Sequence, residues 1–283
     1  AWVKVLFAGL GFQDDVLVAT LECTREVLGE ALPSEMVAVV RECIEAALGH
    51  LEGAPRTVLS FLSAGAPLGG LTRQYLDALL RGERHLASRL ILDAVEEGVS
   101  VKDIYLHVFQ PSQREIGRLW QMNQLSVAQE HYCTAATQLV MSQLYPHIFS
   151  AEKLGRRLVA TCVGGELHEL GARMVADFFE MAGWDTYYLG ANMPTAGVLQ
   201  TLEQRSPDVL AISATMTFHV SAVAKLIVDV RASDAGERVS VLVGGYPFNV
   251  APDLWQRLGA DGCAKDAEEA VAVANRLVVD GVQ

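Results

Sequence analysis

Arg157-Leu158-Val159-Ala160-Thr161-Cys162-Val163 runs directly into Gly164-Gly165-Glu166-Leu167-His168-Glu169-Leu170-Gly171. A β-rich apolar run ends in a glycine pair, and helical spacing resumes over about 168–182. Similar runs recur at 185–189, 209–215, 239–245 and, more weakly, 262–265. Amphipathic segments at 195–204, 219–232, 252–258 and 267–279 separate and follow them. Five strands alternating with helices predict a doubly wound, five-stranded parallel sheet of the flavodoxin/Rossmann-like kind, with right-handed crossovers. Ligands of such sheets sit at the carboxyl ends of the strands. The loops at 164–171, 190–195, 213–219 and 244–249 are therefore where chemistry is expected.

Upstream of about residue 152 the period changes. Leu71, Tyr75, Leu76, Leu79, Leu80, Leu86, Leu90, Leu92 and Val95 recur at helical spacing, punctuated by Gly82, Gly98 and Pro111. Ser100 and Ser126 stand where helix N-caps belong. Four helices are expected between Leu71 and about Phe149, forming a helical bundle. The first 65 residues carry two or three further helices and end at Gly65-Ala66-Pro67. The expected organisation is an N-terminal helical segment over 1–67, a bundle cap over 68–152 and an α/β domain over 153–283.

The whole chain has 283 residues, 51% of them hydrophobic, with a mean hydropathy of +0.25 and a formal charge of −12. That charge argues against direct contact with a phosphate backbone, because anion would meet anion. No stretch approaches the roughly 18–20 uninterrupted apolar residues of a membrane span. The apolar excess points to helix packing, a subunit interface or a large apolar ligand site, and a homo-oligomer is expected. The five cysteines are an odd number without CxxC spacing, which fits a reducing compartment. The start at Ala1, with neither Met nor a cleavage-site pattern, reads as a fragment start, and the cytoplasm is the expected location.

Within the first loop, Glu166 stands two residues before His168. A carboxylate at that spacing can accept one ring N–H of the histidine, fixing its tautomer and raising its basicity, as metal-bound histidines require. One histidine does not build a zinc cage, so a metal here would arrive already held, as by a macrocycle. Ser213 and Thr215 put two hydroxyls on one face of the third strand's end, and Gly244-Gly245, followed by Tyr246, closes the fourth. Adjacent glycines at a strand end let a flat ligand approach the backbone. Taken singly, each piece has an ordinary reading: a surface histidine, a turn, a glycine pair. Gly164-Gly165 could also begin a phosphate loop, but no GxGxxG or GxxxxGK[ST] completes it.

Together, Glu166-x-His168-x-x-Gly171, Ser213-x-Thr215 and Gly244-Gly245 on five alternating strands resemble the cobalamin-binding domain family over about residues 155–283. The resemblance implies His168 as lower axial ligand to cobalt, in place of the cofactor's own base. It also implies contacts to the cofactor from Glu166, Leu167, Gly171, Ser213, Thr215, Gly244, Gly245 and Tyr246. Glu166 stands where the family has an aspartate.

In the helical half, Trp120 closes one helix, while Val127, Glu130 and His131 share the first turns of the next at i, i+3 and i+4. The Trp-x9-Glu-His pattern is similar to the helical cap of light-responsive, adenosylcobalamin-dependent regulators. That resemblance implies that Trp120, Val127, Glu130 and His131 pack over an adenosyl group on the upper face. Regulators forming a light-made bis-histidine adduct carry a histidine directly after that tryptophan; here the position is Gln121, an amide, which does not ligate cobalt as imidazole does. Nor does the segment over 1–65 contain a basic recognition helix, so no direct contact with nucleic acid is expected.

The leading expectation is thus a non-enzymatic, adenosylcobalamin-binding light sensor that signals through changed assembly, a protein partner or an output domain outside this chain. A bilin as second chromophore is a lesser expectation. The alternative is a corrinoid carrier of a methyltransferase system, which the expected aromatic cover over the upper face disfavours. His219 opens a helix just beyond Thr215 and either touches the ligand or caps that helix.

Overall fold

A computed structural model describes residues 2–63, 65–149, 151–236 and 238–280. The chain divides into two compact units, Ala1–Val140 and Met141–Gln283. In the first, helices α1 (Trp2–Gly9), α2 (Asp14–Ala31) and α3 (Ser34–Leu51) precede α4 (Gly69–Leu80), α5 (Arg84–Glu96), α6 (Val101–Ile104), α7 (Gln110–Gln121) and α8 (Val127–Gln143). Both expected caps are present. Ser100 Oγ accepts the Asp103 amide, and Ser126 Oγ accepts the Gln129 amide while Gln129 Oε1 receives the Ser126 N–H, a reciprocal capping box.

Pro111 does not interrupt the helix as its sequence position suggests. A π-turn, Tyr105–Phe109, joins α6 to α7, and Pro111 falls in the first turn of α7. Proline has no N–H for the carbonyl four residues back and its ring crowds that carbonyl, so a widened turn is a natural accommodation. The carbonyl concerned is that of His107, and Thr72 Oγ1 from α4 lies 2.6 Å from it. Tyr75, Tyr105 and Phe109 pack fully buried around the same turn, with ring centroids 5.3–5.4 Å apart.

The second unit opens with the last turn of α8 and α9 (Tyr145–Ile148). It continues as β1 (Arg157–Cys162), α10 (Leu170–Met181), β2 (Asp185–Tyr188), α11 (Thr195–Arg205), β3 (Val209–Ser213), α12 (Val220–Arg231) and β4 (Ser240–Gly244), then α13 (Tyr246–Val250), α14 (Leu254–Arg257), β5 (Gly262–Ala264) and α15 (Ala267–Asp280). All pairings are parallel, as the alternating pattern predicts, and the strand order is β2-β1-β3-β4-β5. Successive strand residues face opposite sides. Val159 therefore joins the layer of Leu210, Ile212 and Val243, while Leu158 and Ala160 join the layer holding Phe179 and Trp184. The helix expected over 252–258 is α14, while the expected loop at 244–249 holds a further short helix, α13, because Gly245, at φ +110°, turns the chain straight into it with Pro247 in its first turn.

All five cysteines are free, and burial pushes the thiols of Cys133 and Cys162 up to about 11 and about 12. Among the described residues no helix is long and apolar enough to cross a membrane. Thr72→Val keeps the shape of the side chain but removes the hydroxyl that bonds the His107 and Leu68 carbonyls. It should lower unfolding free energy by about 1–3 kcal/mol, read from the denaturant midpoint at unchanged m-value.

Candidate functional site

The strand order reverses between β1 and β3, so their carboxyl ends border the crevice where open α/β sheets bind ligands. Glu166 leaves β1 at this edge with its side chain fully buried. A lone buried carboxylate would be costly, and this one is saturated with donors. Oε1 accepts His168 Nδ1 at 2.5 Å and the His168 amide at 3.0 Å. Oε2 accepts the Thr215 amide at 2.7 Å, the Met216 amide at 3.1 Å and His219 Nδ1 at 2.9 Å. The longer side chain of glutamate thus ties the loop after β1 to the loop after β3.

Burial by itself would raise the Glu166 carboxyl. The hydrogen bonds from the His168 ring and amide, the His219 ring and the Thr215 amide outweigh it and hold the group well below the ordinary carboxylate range. An ionised Glu166 only accepts, so both histidines present Nδ1–H to it, and Nε2 carries the lone pair in each neutral ring. The His168 side chain is 58% exposed. His219 is buried, and its Nε2 lies 3.2 Å from where a Cβ on Gly165 would stand. Gly165, at φ +84°, is the residue type this passage needs. Asn192 completes the loop, its Oδ1 receiving the Gly165 amide at 2.7 Å and its own amide reaching the Glu166 carbonyl at 2.9 Å.

The other residues of the expected set fall around this hub. Ser213 pairs in register with Gly244, and neither the Ser213 nor the Thr215 hydroxyl bonds another described residue. Gly244-Gly245 serves first to let the protein's own backbone close up: a Cβ on Gly245 would lie 2.0 Å from the Ala214 carbonyl oxygen. Leu167 and Tyr246 are exposed, at 71% and 56%, and Phe218, which the sequence pattern did not single out, is exposed at 67%. A Cβ on Gly171 would meet nothing within 4 Å, so packing does not demand glycine there. His219 was legible only as one of two options; its spacing from Glu166, 53 residues, carries no local signal, and only strand order joins them.

Trp120, Val127, Glu130 and His131 belong to the first unit. The Trp120 ring packs 6.1 Å from that of Trp2, and buried Gln121 donates from Nε2 to the Trp2 carbonyl at 3.0 Å. Gln121 is therefore a strap holding α1 against the bundle. Val127 is exposed, and Glu130 Oε2 meets His131 Nδ1 at 2.5 Å. From Glu130 a polar chain runs inward through Thr134, Gln113 and Thr137 to the hydroxyl of Tyr75, each link between 2.8 and 3.1 Å. Burial raises the Tyr75 phenol well above its ordinary value, which keeps it protonated.

Two family models match the chain, each described as a B12 binding domain, over residues 156–274 and 71–145. A corrinoid protein of Desulfitobacterium hafniense is 24% identical over 207 residues, which is 71% of this chain and 94% of the relative. Dimethylamine corrinoid protein 3 of Methanosarcina acetivorans is 26% identical over 219 residues, 76% of this chain and all of the relative. The solved monomethylamine corrinoid protein of Methanosarcina barkeri matches at a TM-score of 0.66 and 22% identity, covering 75% of this chain and 100% of that one, which establishes the shared fold.

Replacing Glu166 by Gln leaves one acceptor where two are needed. The variant should lose about 1–3 kcal/mol for each donor stranded. A carboxylate whose folded pKa is depressed stabilises fully above its unfolded value, ordinarily 4.5, and loses that contribution as pH falls below it. Acid titration of the two proteins should therefore show the stability gap at neutral pH narrowing below about pH 4.5.

Proposed function

We propose that this chain, which matches B12 binding domain models over residues 71–145 and 156–274, is a corrinoid carrier that delivers a methyl group between partner proteins and performs no turnover alone. The observation that carries this reading is His168 at the strand edge, its Nδ1 fixed by a buried carboxylate so that Nε2 holds the lone pair. The residues fit such a cofactor. His168 would hold a corrinoid's cobalt through its imidazole; the unengaged hydroxyls of Ser213 and Thr215 would suit a polar tail; Leu167, Phe218 and Tyr246 would offer apolar edges to a macrocycle.

When bound, the corrinoid's cobalt supplies the centre that accepts and donates the methyl group. The chain's own residues hold and tune it. Glu166 keeps the His168 ring oriented and its tautomer fixed, and raises the basicity of Nε2. His219, from the other side of the same carboxylate, fixes where that carboxylate points. Backbone amides at 215 and 216 neutralise its charge without supplying a proton. Within the helical unit this reading puts forward Val127, Glu130, His131 and the half-buried Trp120 for cofactor contact.

The light-sensor expectation gives way on two grounds. The relatives bear the names of corrinoid proteins, two of them for methylamines. The case against a carrier rested on Trp120 serving an upper ligand alone, whereas its ring also packs against Trp2 and so has a structural role of its own. Neither the adenosyl form nor a bilin is needed by this reading. A methyltransferase is the partner class it requires, since methyl groups must arrive and leave.

Purified chain mixed with hydroxocobalamin and passed through gel filtration should retain the corrinoid at one per chain, and His168→Ala should lose most of it or shift its absorption bands. Reduced holoprotein treated with labelled iodomethane should then hand the label to a thiol acceptor when a suitable methyltransferase is added. A chain that retains no corrinoid, or one whose adenosylcobalamin-loaded form changes assembly under green light, overturns the carrier reading.

A further inference from the structure

The hairpin α2–α3 lies outside both matched segments and buries little of itself: Leu17 on α2, and Ile44 and Leu51 on α3. The two helices pack together across a two-residue connection at Leu32-Pro33, and buried or half-buried apolar residues share one face of each, Leu17, Leu21 and Leu28 on α2 and Val37, Ile44 and Leu51 on α3. Each helix also carries a second uncharged stripe that nothing in its unit covers. On α2 it is Val16, Thr20, Cys23 and Val27; on α3 it is Met36, Val39, Cys43 and Ala46. The spacings, 4-3-4 and 3-4-3, are those of a coiled-coil seam. Val27, Met36 and Val39 are 63%, 53% and 60% exposed.

Both stripes emerge on one side. At about 100° per residue, the outer stripe lies about 100° from that apolar face on α2 and about 120° from it, in the same sense, on α3. Equal rotations on antiparallel helices lead to a common face. Just beyond the stripes stand Glu26 and Glu30 on α2 and Glu35 and Glu42 on α3, all exposed, whereas the hairpin's two arginines, Arg25 and Arg41, fall on the opposite side. Residues 14–52 contain nine acidic and two basic side chains.

We infer that this face is a docking surface for an amphipathic helix of a partner protein, apolar along one stripe and basic on both flanks. Helix-in-groove recognition takes affinity from an apolar seam spaced as this one is, and register and partner choice from flanking charge. The charge pattern selects against a second copy, since two such faces would bring glutamate rims together with no base between them. This site is independent of the corrinoid and holds whether or not one is bound.

The test uses the full chain and two fluorescein-labelled peptides the length of α2, each with leucine at the seam positions, one flanked by lysine and one by glutamate. The lysine peptide should bind saturably by fluorescence anisotropy, more weakly as salt rises, and the glutamate peptide should not. Val27→Glu and Val39→Glu, both at exposed positions and checked for intact helix content by circular dichroism, should each weaken the lysine peptide on the order of tenfold. Arg41→Glu, on the opposite face, should leave it unweakened. Equal binding of the two peptides, no saturable binding, or indifference to both valine substitutions overturns the proposal. So does self-association by sedimentation velocity that Val39→Glu abolishes, which would make the occupant a second copy.

Discussion

A carboxylate removed from water must be met by donors or it unfolds what surrounds it, and the α/β unit is organised around meeting that demand at Glu166. Five hydrogen bonds converge on its two oxygens, drawn from the loop after β1 and from the loop and turn after β3. The consequences spread outward. The amides of Thr215 and Met216 must turn toward the β1 edge, His219 must enter the interior, and Gly165 must stay without a side chain to let it pass. The His168 ring is left presenting one defined nitrogen at an exposed edge.

The helical unit solves a different polar problem. Pro111 withdraws a donor from the middle of a long helix, and the chain answers with a π-turn and a hydroxyl from α4 set on the His107 carbonyl. Beside it, a line of hydrogen bonds joins surface residues Glu130 and His131 to Tyr75 in the core. Such networks fix side-chain directions more than they add net stability. Here they give the Glu130–His131 pair a set orientation, while Trp120 is held by its contact with Trp2.

The sequence pattern of Trp120, Glu130 and His131 pointed toward light sensing because residue identity and spacing along a helix are visible in a sequence. What those side chains pack against is not. Trp2 lies 118 positions before Trp120, in a helix with no local signal of that pairing. The same blindness applied to His219 and to Gly245, whose glycine is demanded by the Ala214 backbone. The α2–α3 hairpin is the reverse case, since its second apolar stripe is plain in the sequence. Only the exposure of Val27, Met36 and Val39 marks that stripe as uncovered.

By itself the sequence determined the alternation of strands and helices, the parallel sheet, the helical half before it, both serine caps, and the Glu166–His168 pair. These follow from short-range periodicity and from contacts between residues two or three apart. The strand order, the convergence of Thr215, Met216 and His219 on Glu166, the inward turn of Gln121 and the continuity of the helix through Pro111 were decided by the tertiary structure. Each depends on which distant backbone or side chain occupies the neighbouring space, and packing at close density settles that only once the chain has folded.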